Sequence, residues 1–286
     1  MKKTLLLLLS AALLSGCAAL HFLPSKQVLA IEFADTPPNP AYAFRFQGLN
    51  QSPELQTLRE RYPLDSVARE GITEFEHMLH LLQWTHSRWE HSGSNQPSKS
   101  NTLTILEEAE AGKKFRCVEY GIVLRSVLAS AGYHARTLGL KTRDVEVTRV
   151  GAGHVLTEVW SGQYQKWFLL DGQFNLVPVL DGVPLNAVEF QRAIVEGKPF
   201  SLVDRGGPVD AARRERYLNF IPHYLYYFDA KFDQREVPYD SLLKVNGKTS
   251  LMLVPLGAAN PVVFQRKQPM TYLEYTHSLR DFYRKP

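Results

Sequence analysis

Residues 112–175 read GKKFRCVEYGIVLRSVLASAGYHARTLGLKTRDVEVTRVGAGHVLTEVWSGQYQKWFLLDGQFN, and within them Cys117, His154 and Asp171 follow in that order. A thiol reacts as its thiolate, so it needs an imidazole to take its proton and a carboxylate to fix that imidazole's tautomer. The segments around His154 and Asp171 are rich in β-branched and aromatic residues and flank Ser161, Gly162, Gln163 and Tyr164. They predict two strands joined by a hairpin. A two-residue type II′ turn at Gly162 and Gln163 would set His154 opposite Asp171, with opposed Cβ atoms roughly 4.5–5.5 Å apart. That pairing fails if the turn is longer by an odd count.

From Val118 the apolar positions Ile122, Val127, Leu128 and Ala131 have helical spacing, and Gly132 is a C-cap. Cys117 then stands in a first helical turn beside Lys113, Lys114 and Arg116, where the dipole and the cations lower a thiol's pKa. No Ser, Thr, Asp or Asn just precedes it as an N-cap.

These residues resemble the transglutaminase-like superfamily of papain-like cysteine enzymes over about residues 71–175. Three blocks carry the resemblance: Cys117 with Tyr120, Leu124, Leu128, Gly132, Ala135 and Arg136; His154 leading into Glu158, Val159 and Trp160; and Trp167 with Asp171. The resemblance implies an α+β fold, a Cys-bearing helix packed on an antiparallel sheet. It implies Cys117 as nucleophile, His154 as general base and acid, and Asp171 as its orienter. Relatives often carry an aromatic after the histidine where this chain has Val155, and a glycine nearer the cysteine than the Lys-Phe-Arg lead here. A tryptophan on the helix before the cysteine often helps to hold an oxyanion, which makes Trp84 and Trp89 candidates beside the core-packing role usual for the residue. Glu158 and Asn175 are candidates to assist the imidazole or bind substrate. His134, two residues past the helix end, ranks below His154 as a base.

Residues 1–16, MKKTLLLLLSAALLSG, read as an export signal. Leu14, Ser15, Gly16 and Cys17 resemble a bacterial lipobox, which implies lipidation at Cys17, and Ala18 favours an outer-membrane protein facing the periplasm. Residues 17–65 then form a tether and N-terminal segment, 66–180 the core, and 181–286 a C-terminal α/β extension packed on it. The net charge of +4 falls by two when Lys2 and Lys3 leave, so nucleic acid is not an expected partner. Of the two cysteines only Cys117 remains unmodified, so no intramolecular disulfide forms.

Outside the central stretch, patterning predicts a strand over 41–46 and helices over 53–62, 67–91, 102–111, 185–196, 210–228 and 272–284. Strands are expected over 135–141, 145–150 and 250–255, the last after an Asn246-Gly247 turn. His77 and His80 share a helical face, but HExxH is absent and neither metal nor cofactor is expected. The combined expectation is a membrane-anchored periplasmic cysteine enzyme acting by acyl transfer at peptide or protein amides, by hydrolysis or transamidation. The alternative is a non-catalytic lipoprotein that uses the fold as a scaffold or binding module.

Overall fold

The computed structural model describes residues 28–286, so the expected signal and Cys17 lie outside the described residues. Five helices come first: α1 Pro53–Arg61, α2 Leu64–Arg69, α3 Glu74–His86, α4 Thr102–Glu110 and α5 Cys117–Ser130. The strands β1 Ala135–Lys141, β2 Gly153–Ser161 and β3 Lys166–Leu170 follow, then β4 Val177–Leu180 and β5 Val183–Pro184. Helix α6 Ala187–Val195 leads to β6 Ser201–Asp204 and β7 Gly207–Pro208, and α7 Ala211–Phe220 to β8 Tyr227–Lys231 and β9 Ser250–Leu253. A short hairpin, β10 Val263–Phe264 with β11 Gln268–Pro269, precedes β12 Leu273–Thr276 and α8 Leu279–Phe282.

The main sheet runs β12-β9-β8-β1-β2-β3. Every neighbouring pair is antiparallel except β12 with β9. Both faces are buried. Leu55, Leu82, Leu124, Leu128, Phe168 and Leu170 share one apolar cluster with the helices before residue 131, while Leu156, Leu169, Phe190, Tyr217, Phe228 and Phe282 share another. Double burial explains why Trp167, Phe168, Leu169 and Leu170 run on without polar alternation. Strands β8, β9 and β12 of residues 181–286 extend the sheet that carries β1–β3.

Several expected elements differ. The helix over 67–91 is two helices, because the chain at Gly71 presses on α3: a Cβ there would lie 2.7 Å from the Glu76 backbone carbon. A capping box then restarts the helix, with Glu76 N donating to Thr73 Oγ1 at 3.2 Å and Thr73 N to the Glu76 carboxylate at 2.9 Å. Residues 145–150 are a turn and not a strand; Val147 and Thr148 both donate to the Asp144 carbonyl. The helix over 210–228 stops before Pro222 and gives way to β8, and 272–284 holds β12 before the short α8. Around 41–46 only an isolated bridge forms, from Arg45 to Asp233.

The β2–β3 turn also departs from expectation. Trp160 pairs with Trp167 and Ser161 with Lys166, leaving a four-residue connection with Gln165 in the left-handed region at φ 53°. Glu74, at the start of α3, stabilises that longer turn by accepting from Ser161 Oγ at 2.6 Å, Gly162 N at 2.9 Å and Gln163 N at 2.7 Å. The register is displaced by two residues, an even count, so His154 and Asp171 stay on one face as diagonal neighbours.

Helix α5 lies close to the sheet because Gly121 has no side chain. A Cβ there would meet Val155 Cγ1 at 2.8 Å and the Leu156 carbonyl at 3.4 Å. Gly121→Val is therefore expected to destabilise the protein by about 1–3 kcal/mol despite the better helix propensity of valine. The readout is a lower urea midpoint at unchanged m-value; an unchanged midpoint would mean the helix can move away freely.

Candidate functional site

Cys117 is the first residue of α5 and is half-buried; it is the one free cysteine among the described residues. With no capping side chain available from Arg116, the helix start is completed from inside. Glu119 reaches back to accept from Arg116 N at 3.1 Å, and its buried carboxylate takes the Arg116 guanidinium at 2.6 Å. His154 stands at the beginning of β2, buried at 2 % exposure. Its Nε2 is 2.9 Å from Asp171 Oδ2, and the ring is also within hydrogen-bonding reach of the Cys117 thiol. The structure thus brings all three residues together.

Asp171 sits just past β3 and its oxygens are saturated. Besides His154, Oδ2 accepts from Tyr217 Oη at 3.1 Å, and Oδ1 accepts from Gln173 N at 3.0 Å and Phe174 N at 3.1 Å. Such donors fix a carboxylate in place. Phe220, Tyr224 and Phe174 surround the imidazole at ring separations of 5.1, 5.9 and 6.3 Å.

The electrostatics follow from this enclosure. Burial pushes the Cys117 thiol up, but the hydrogen bond and charge of His154, with a further hydrogen bond from the Val155 amide, bring it below the ordinary thiol range. Burial would lower the His154 pKa, yet the Asp171 carboxylate and the Cys117 thiolate together raise it well above the usual imidazole value. Each partner stabilises the charged form of the other, so a thiolate–imidazolium pair is favoured.

The remaining expected site residues separate into those near this centre and those that are not. Trp89 packs on Tyr120 at 4.5 Å and edge-on against Phe115, close in sequence to Cys117, and its buried Nε1 has no acceptor. Trp84 packs instead on Tyr62 at 5.4 Å and lies under the Arg88 guanidinium, inside the helical core. Asn175, at φ 55°, ties the loop after Asp171 to α3 through Nδ2 to Gln83 Oε1 at 2.7 Å. It lines a polar cleft of about 430 Å³ with His86, His91, Arg213 and Arg216.

Glu158 requires a correction. It shares the face of His154, but it is fully buried and accepts from Arg136 at 2.7 Å, Tyr283 Oη at 3.0 Å and Ala187 N at 3.1 Å. A carboxylate so occupied neither assists the imidazole nor meets substrate. His134 packs on Phe46, and burial lowers its pKa. His77 is bound by Tyr133 Oη and the Gly71 carbonyl, while His80 lies 3.2 Å from Glu70.

Tyr217, which donates to Asp171, and Phe220, which packs on the imidazole, are site residues that the sequence does not single out. They belong to α7, more than forty residues downstream of Asp171, and a Tyr two turns into an otherwise charged helix carries no local signal of its destination.

A cavity of about 280 Å³ opens on Cys117 and His154, so the thiol is reachable from solvent. A half-buried sulfur with a lowered pKa beside an imidazole anchored by a carboxylate can attack an electrophilic carbon and deliver a proton to a departing group.

Residues 65–172, which hold nearly all of α2 and the whole of α3–α5 and β1–β3, match the model of the transglutaminase-like superfamily. Two solved structures are similar over about half of the chain. One is a candidate cysteine protease from Cytophaga hutchinsonii, at 13% identity and a TM-score of 0.34, over 50% of this chain and 46% of that one. The other is the periplasmic domain of TgpA from Pseudomonas aeruginosa bound to ethylmercury, at 15% identity and a TM-score of 0.31, over 47% and 48%. The chain therefore spans less than half the length of either. No curated protein matches it. No helix among the described residues is long and apolar enough to cross a membrane.

Proposed function

We propose that the protein is a cysteine enzyme acting by acyl transfer at an amide, with Cys117 as nucleophile, His154 as general base and acid, and Asp171 as the orienter of the imidazole. The observation that carries this reading is the buried His154 ring, held by Asp171 at 2.9 Å on one nitrogen and in contact with the thiol. Cys117 Sγ attacks the amide carbonyl, the C–N bond breaks as His154 gives its proton to the amine, and a thioester remains. Water then attacks the thioester, His154 takes its proton, and the thiol is released with a carboxylic acid. An amine in place of water would give transamidation. No amine-acceptor site stands out in the sequence, and peptide hydrolysis is the preferred outcome.

One donor suits the oxyanion of the tetrahedral intermediate: the Cys117 backbone N–H at the start of α5. Trp89 Nε1 is a buried donor without an acceptor, but Trp89 does not line the cavity at Cys117.

Anchoring through a lipid on Cys17, at an outer membrane facing the periplasm, completes the reading and rests on the sequence of residues 14–18. The rival is a non-catalytic scaffold, in which the same three residues serve packing alone.

Trapping separates the two. Intact protein mixed with a pool of peptides and small amides, then quenched in acid, is expected to gain the mass of one acyl group on Cys117, removable by hydroxylamine. Absence of any adduct, together with Cys117 alkylation that His154→Ala leaves unchanged, would establish the scaffold.

A further inference from the structure

The cavity at Cys117 is only partly made by the transglutaminase-like core. Val118 and Val155 form one side of it, while Asp229, Phe264, Gln268 and Tyr272 come from far downstream. It runs on into a second cavity of about 390 Å³, which shares Val118, Gly139, Val155, Asp229 and Tyr272 with the first. The result is a groove that leads away from the sulfur.

Two glycines keep the floor of that groove low. A Cβ on Gly139 would lie 2.5 Å from Asp229 Oδ1, and one on Gly153 would lie 3.1 Å from the Phe264 ring. Only without side chains at these positions can Asp229 and Phe264 lie across β1 and β2. Asp229 is itself paired with Lys141, so beside the sulfur the floor presents a neutralised pair in an otherwise largely apolar lining, while the second cavity adds Thr137, Lys231, Thr249 and Ser250.

The downstream wall is held in place rather than loosely draped. Glu146 accepts from Val262 N at 2.8 Å and Val263 N at 3.2 Å, Gln265 N donates to the Val145 carbonyl at 2.8 Å, and the Arg266 guanidinium donates to the Val147 carbonyl. The turn at 143–148 is thus the mount for the β10–β11 hairpin. A wall fixed before substrate arrives loses little freedom on binding, which favours selectivity. Tyr272, 41 % exposed, is an aromatic side chain left open at this groove.

We propose that residues 262–272 form the specificity wall of the nucleophile's cleft, and that the groove takes an apolar or aromatic side chain from the residue that supplies the scissile carbonyl. The inference rests on the reading of Cys117 as nucleophile, because the acyl group is the part that stays on the sulfur after the amine leaves. Tyr272 and Phe264 would pack on one side of the substrate side chain, Val118 and Val155 on the other.

The test uses peptidyl chloromethyl ketones ending in phenylalanine, glycine or glutamate, with the inactivation rate at Cys117 measured for each. The phenylalanine probe is expected to react about tenfold faster than the glycine and glutamate probes, the discrimination an apolar pocket commonly supplies. Tyr272→Ala should collapse that ratio, Tyr272→Phe should preserve it, and Glu146→Gln should reduce it by loosening the wall. Taking ratios within each variant cancels any general change in thiol reactivity. A ratio near one in the unaltered protein, or one that Tyr272→Ala leaves intact, would overturn the specificity wall. If iodoacetamide labelling is nevertheless fast and His154-dependent, the nucleophile reading stands without it; if labelling is slow and indifferent to His154, both fall.

Discussion

Replacing His154 by alanine is expected to slow iodoacetamide alkylation of Cys117 at pH 6 on the order of a hundredfold. In the intact protein the thiol lies below its ordinary range because the imidazole donates to it and carries positive charge. Remove the ring and burial, joined by the Asp171 charge, outweighs the one remaining lowering contact, the Val155 amide, and the thiol moves up. A thiol of ordinary pKa, about 8.5, is only about 0.3 % thiolate at pH 6, which sets the scale of the loss. The difference should narrow as pH rises towards 9, where an unassisted thiol ionises by itself. Amide turnover should follow a broad plateau. On the acid side it falls as pH drops through the lowered thiol pKa, and on the alkaline side as pH rises through the raised imidazolium pKa, when the proton for the departing amine is lost. Equal alkylation rates in the two proteins across pH 6–9 would contradict the ion pair.

The second large effect concerns stability. Arg136 is 1 % exposed and its partner Glu158 is fully buried. The guanidinium donates twice to Glu158 and once to the Phe282 carbonyl, and lies near the rings of Trp167, Phe282 and Tyr283. Arg136→Met is expected to cost about 3–5 kcal/mol, because it leaves a carboxylate buried without its cation. Urea unfolding measures this as a lower midpoint. Arg136→Met combined with Glu158→Leu should recover part of the loss, though Ala187 N and Tyr283 Oη then lack their acceptor. A single variant as stable as the parent would show that the pair contributes nothing net.

The residues that frame the site were legible to different degrees, for physical reasons. Local patterning sufficed to find α5, which is buried almost all round and not on one face alone, and Gly132 follows its end in the left-handed region at φ 91°. The strands β2 and β3 were also plain. Their turn was not, because the donor-hungry loop at 161–163 is satisfied by Glu74, a residue almost ninety positions upstream. His154 and Asp171 still meet because the register error was even. Residues 145–150 alternate like a strand, yet only Val145 of its valines is buried, and the segment serves as the support for the later hairpin. Glu158 shows the same limit from the other side. Its position on the face of His154 followed from period two, but its occupation by Arg136, Tyr283 and Ala187 depends on contacts between distant segments, which leave no trace in a local window.

The same buried network has a temporal side. The carbonyl that Arg136 needs is Phe282's, the hydroxyl that Glu158 needs is Tyr283's, and the Trp167 indole donates to the Arg284 carbonyl at 2.7 Å. These partners are separated by 146, 125 and 117 positions. A nascent polypeptide that has emerged only through α7 therefore holds an arginine and a glutamate it cannot yet bury with all their mates, and long loops must close before the reward arrives. Maturation of the core should wait until residues 282–284 have emerged where the chain folds, leaving an interval in which a chaperone could engage it.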